Sequence, residues 1–129
     1  LLATALIAAM FRIVPNPTFT TDVPLSVPGS DTPVTIKITF RHKTRAQLAA
    51  YQQRAVELAL QADAADAQEQ FAAYVAEVVD GWIGVVGADD KALPYTPANL
   101  AQLVQAYPAA GAEIVRRYSQ QLSHARAGN

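Results

Sequence analysis

The chain contains no cysteine, one methionine, one tryptophan and two histidines. Without thiols there is neither a disulfide framework nor a thiolate metal site, which is compatible with a reducing compartment. His42, in FRHKTR, and His124, in SHARAGN, stand far apart in unlike surroundings, so the three or four convergent ligands of a metal centre have no matching spacing. No serine occupies a Gly-x-Ser-x-Gly elbow. The stretch GWIGVVG has neither the spacing nor the Lys-Ser/Thr ending of a phosphate loop, and ADDKALPYTP lacks the alternating acids of a calcium loop. Acid–base work by a carboxylate pair has nothing in its favour beyond the presence of acids. No enzyme activity, cofactor or metal is therefore expected. A net charge of -1 gives no global field toward nucleic acid or an anionic membrane. The apolar start, LLATALIAAM, is about half the length of a membrane span, and it lacks the basic flank of a signal peptide. Met10 with FRIVPNPTF reads as a natural start. Residues 1–9 are taken as an apolar leader outside a single domain of residues 10–129, with a secretory remnant as the alternative.

What is present in quantity is alanine, 26 of 129 residues, within an apolar fraction of 51%. Alanine favours helix but buries little area, so its helices have thin apolar faces. Such faces leave room for a partner or a second copy to complete the packing. Charge is unevenly placed. Glu57, Asp63, Asp66, Glu69, Glu77, Asp80, Asp89 and Asp90 occur with no lysine or arginine among them, whereas Arg12, Lys37, Arg41, Lys43 and Arg45 face only Asp22 and Asp31. Two readings fit: a solvated helical face, which is the commoner outcome, or pairing with an oppositely charged neighbour.

The order of elements reads as α+β: an N-terminal β-hairpin over residues 10–43, then a small bundle of three to four helices over residues 44–129. VTIKITFR alternates strictly, with Val34, Ile36, Ile38 and Phe40 on one face. TFTTDVPLSV places Phe19, Thr21, Val23 and Leu25 together, and Pro24 marks it as an edge strand. PGSDTP supplies the turn. From Thr44 onward the pattern is helical. Leu48, Tyr51, Ala55 and Leu58 form the first stripe, and Asp66 with Glu69 resembles a capping box opening the second helix. Phe71, Tyr74, Val75, Val78 and Trp82 recur at helical steps, so Trp82 is placed at the end of that helix, with Gly81 and Gly84 terminating it. Thr96 and Pro97 open a third helix carrying Leu100, Leu103, Val104 and Tyr107. A fourth carries Ile114, Tyr118 and Leu122, with His124 and Arg126 at its cationic end. The expected core is Phe40, Leu48, Tyr51, Phe71, Trp82, Leu103, Tyr107 and Tyr118. Lys43, Arg45, Arg116 and Arg117 are the candidate partner-binding residues. Reversing the charge of Arg116 and Arg117 is expected to affect binding and to leave folding nearly intact.

In their order, MFRIVPNPTFTTDVPLSVPG, VTIKITFRHKTRAQLAAY, VVDGWIGV and LPYTPANLAQLVQAYPAAGAEIVRRYSQQLSHARAGN resemble the tail assembly chaperones of long-tailed bacteriophages and prophages. The resemblance implies a non-catalytic assembly factor that binds the tape measure protein in the host bacterial cytoplasm. It would keep that client soluble while the tail tube polymerises, and be absent from the mature virion. It also implies self-association and, through a frameshifted longer form, contact with the tail tube protein, with no nucleic-acid or membrane partner. A structural minor tail or tail-completion protein retained in the particle is the alternative. A small DNA-binding regulator using RHKTR against phosphate is a further one.

Overall fold

The computed structural model describes Phe11 and residues 13–123. The leader, His124 and Arg126 lie outside the described residues. Alternation along the two N-terminal segments gives strands β1 (Thr18–Leu25) and β2 (Val34–Arg41), paired antiparallel from Thr18↔Arg41 to Leu25↔Val34. The register opposes Phe19 to Phe40 and Val23 to Ile36, so the apolar sets of both strands share one face. On the other face Thr20 meets Thr39 at 2.8 Å, and Lys37 pairs with Asp22 at 2.8 Å.

Four helices among the described residues cover the apolar face: α1 (Arg45–Leu60), α2 (Ala67–Ala76), α3 (Pro97–Ala106) and α4 (Ala110–Ser123). The fold class is α+β, a sheet layer under a helix layer. Two starts are capped by threonine. Thr44 Oγ1 accepts from the Gln47 amide while Gln47 Oε1 accepts from the Thr44 amide, a full capping box. Thr96 Oγ1 accepts from Asn99 N, with Pro97 in the first turn. The expected capping box at Asp66 does not form. Its backbone is not extended (φ -104°, ψ 17°), and its carboxylate instead accepts from the side chain of Gln70.

The chain is not helical throughout after Thr44. Between α2 and α3 it forms a third strand, β3 (Val79–Ile83), antiparallel to β2, giving the order β1-β2-β3. Trp82 is buried, but it sits on this strand and not at a helix end. A bulge explains the misleading spacing. Thr39 opposes Gly81 and Phe40 opposes Val79, so Asp80 is an extra residue that turns both Val79 and Trp82 toward the helices. A three-residue separation on one face, produced by the bulge, imitates a helical step. After β3, Gly84 adopts φ +103° with its backbone against Ile36. The chain then doubles back through Val86↔Ala92, with Asp89 and Asp90 in the turn.

The core is largely aromatic. Tyr118 lies 5.1 Å from Phe40, 6.0 Å from Phe19 and 5.9 Å from Tyr51 between ring centres, joining sheet to helices. Its hydroxyl donates to the Arg41 carbonyl at 2.7 Å. Phe40, Tyr51, Trp82 and Tyr118 are buried, and Leu48, Phe71 and Leu103 are half-buried against them. Tyr107 is not core: it is 40% exposed. The helix ends at Ala106, and Tyr107 is extended (φ -123°, ψ 100°), which takes its side chain off the Leu100–Val104 stripe.

Candidate interaction surface

The basic residues singled out from the sequence fall into two groups. Lys43 lies in the link between β2 and α1, its side chain only 18% exposed, with Nζ 3.0 Å from Glu77 Oε2. Arg54, on α1, pairs with the same oxygen. Both cations also lie over the Tyr51 ring, Lys43 Nζ at 5.3 Å and Arg54 Cζ at 5.5 Å from its centre. Beneath them Tyr51 and Tyr74 stack with ring centres 4.0 Å apart, and each hydroxyl donates to the other residue's carbonyl at 2.7 Å. Lys43 therefore fastens α1 to the end of α2. Arg117, on α4, is also engaged: Nε donates to the Asp22 carbonyl of β1 at 3.0 Å, and Nη2 reaches Thr21 Oγ1 at 3.5 Å. Arg45 and Arg116 are exposed and form no ion pair among the described residues. Of the four candidates, only these two remain available to a partner.

One arginine with a structural role was not legible from its sequence context. Arg41 Nη1 donates to the carbonyls of Val79 at 2.8 Å and Glu77 at 3.1 Å, while Nη2 pairs with Asp80 at 3.0 Å. A cation at the last carbonyls of α2 suits the helix dipole. The same guanidinium fixes the bulge. His42 follows at the junction, exposed, its amide donating to the Pro17 carbonyl.

The hydrogen bond from Arg54, with Lys43 second, holds the Glu77 carboxyl below its ordinary value of 4.5. A depressed carboxyl stabilises the fold above its unfolded value, and that contribution disappears as pH falls through the folded one. Urea midpoints measured from about pH 7 to about pH 3 should fall most steeply below 4.5, and Glu77→Gln should flatten that limb. An unchanged acid limb would remove Glu77 as its cause. Burial raises the Tyr51, Tyr74 and Tyr118 hydroxyls above the usual tyrosine range, so these phenols stay neutral at physiological pH.

The exposure of the arginines separates two further variants. Arg117→Glu should lose about 1 kcal/mol of stability through the broken contacts with β1, whereas Arg116→Glu should stay within about 0.5 kcal/mol of the parent. Equal melting of the two proteins would mean that Arg117 is not docked.

An open groove of about 390 Å³ lies between the end of α1, the start of α2 and the end of α3. Its walls include Leu58, Phe71 and Val104, and its polar side chains are Gln68 and Gln105. Among the described residues no group of three or more His, Asp or Glu side chains could hold a metal ion, and no helix is long and apolar enough to cross a membrane.

A small α+β scaffold with docked internal cations, free surface cations and an apolar groove has the makings of a binding protein. The profile of the phage tail assembly chaperone family matches residues 7–129, nearly the whole chain, and the chain belongs to that family. Searches of curated proteins and of solved structures returned no match. Family membership supports a chaperone role in the assembly of phage tails.

Proposed function

We propose that this protein is a non-catalytic chaperone that binds the tape measure protein in the host cytoplasm and keeps it soluble while the tail tube forms. The observation that carries the reading is the family match across residues 7–129. The surface is compatible with it. Alanine-rich helices leave a shallow apolar groove, and exposed Arg45 and Arg116 offer charge to a neighbour. Because one extended client would hold many copies, each contact is weak and self-association contributes. A longer form of the chain would bring the tail tube protein to the complex.

Co-expression with the tape measure protein of the same phage tests this directly. The expected result is conversion of an insoluble client into a soluble complex holding several copies of the chaperone. Absence of rescue, together with stoichiometric amounts of the protein in purified particles, would overturn the proposal and identify a structural tail component instead. Association should weaken as salt is raised toward 1 M, where the Debye length falls to about 3 Å.

A further inference from the structure

We infer that the groove between α1, α2 and α3 receives an amphipathic α-helix whose apolar stripe is flanked by lysine or arginine. The inference is independent of which protein supplies that helix. Three observations support it. The first is the wall itself. Ala55, Leu58, Ala59 and Ala62 recur at the three- and four-residue steps of one helical face, opposite Phe71 and Val104. Three of these four are alanines, so an incoming backbone can approach closely.

The second is the state of the backbone around the groove. Its walls are side chains of helices and of the turn after α1, and no residue of the sheet lines it. An extended peptide lying there would find no strand edge with which to pair its amides and carbonyls. Those groups would be left unsatisfied on burial. A helix brings its backbone bonds with it, and so suits an apolar groove of this kind. A small ligand is disfavoured as well, because two glutamines are the only polar side chains available to orient it.

The third is charge. Glu57, Asp63, Asp66 and Glu69 lie beside groove residues in the chain, all exposed, and none forms an ion pair among the described residues. The third wall is neutral, since α3 has no charged residue. The nearest cation along α1, Arg54, is committed to Glu77. The rim is therefore acidic without local compensation, and a helix with basic flanks complements it.

The test uses two labelled synthetic helices of about five turns, identical in their leucine and alanine stripe, one flanked by lysine and its twin by glutamate. Fluorescence anisotropy with the full chain should show binding of the lysine helix and at least tenfold weaker binding of the glutamate twin. Raising salt from about 0.05 to about 0.5 M should narrow the difference. Ala59→Gln fills the groove without changing charge, and should weaken the lysine helix about tenfold or more while thermal melting stays unchanged. Glu57→Gln with Asp63→Asn and Glu69→Gln should erase the preference between the twins. No binding of the lysine helix, equal binding of both twins, or parental affinity in Ala59→Gln would overturn the inference. So would sedimentation showing a dimer that Ala59→Gln dissociates, because a second copy would then occupy the groove.

Discussion

Tyr51→Ala should lower stability by about 3–5 kcal/mol, as truncation of a large buried aromatic does, and should release α1 from the rest of the protein. Of the 16 residues in α1, Tyr51 is the only one fully buried. Leu48, Ala55 and Leu58 pack beside it but remain half-buried. The ring holds the Tyr74 stack, and the hydroxyl holds the Tyr74 carbonyl. Its removal also leaves the Tyr74 carbonyl without that donor and the two overlying cations without their aromatic platform. Urea denaturation measures the loss, and hydrogen exchange locates it: α1 amides should exchange at far lower protection than those of β2. Tyr51→Phe, which keeps the ring, should cost about 1–2 kcal/mol for the missing hydroxyl bond. A loss under about 1 kcal/mol in Tyr51→Ala would mean that α1 is not held in this way.

Trp82→Ala should cost a similar ~3–5 kcal/mol, at the other end of the molecule. The indole packs edge-on against Tyr95 with ring centres 5.2 Å apart, and Nε1 donates to the Leu93 carbonyl at 2.8 Å. One side chain thus joins β3 to the returning loop that leads into α3. The expected signature is loss of cooperative unfolding in β3 and in residues 85–93, read by denaturation and by hydrogen exchange. Tyr95→Phe provides the contrast. The Tyr95 hydroxyl is buried without a hydrogen-bond partner, so its removal should be neutral or slightly stabilising. A Trp82→Ala protein that melts like the parent would place the indole on the surface.

The hairpin and the helix starts were legible because their signals are local. Strict alternation in VTIKITFR fixes a face, and Thr96-Pro97 fixes a helix start whatever lies around it. β3 was not legible because its bulge at Asp80 converts a strand's period of two into a spacing of three between Val79 and Trp82. Tyr107 continued its stripe in sequence, yet the helix ended one residue earlier. The candidate surface was read less well than the fold. Lys43 and Arg117 look like any exposed cation along the chain, but Lys43 meets Glu77 and Arg117 meets Asp22, partners on distant elements that no short-range spacing reveals. The groove needed three helices brought together, and its alanines announced only that the helical faces would be shallow.

The outer strand β1 has a consequence for life at high local concentration. A chaperone gathered in many copies along one client presents repeated sheet edges at short distances, the arrangement from which cross-strand stacking into fibrils begins. In β1, Pro24 offers no amide, the Asp22 carbonyl is already taken by Arg117, and the Lys37–Asp22 pair keeps the solvent face charged. Crowded copies consequently have little strand to lend one another, and their association is steered toward side chains. That leaves contacts able to let go when the tube closes in, where a continuous intermolecular sheet would not.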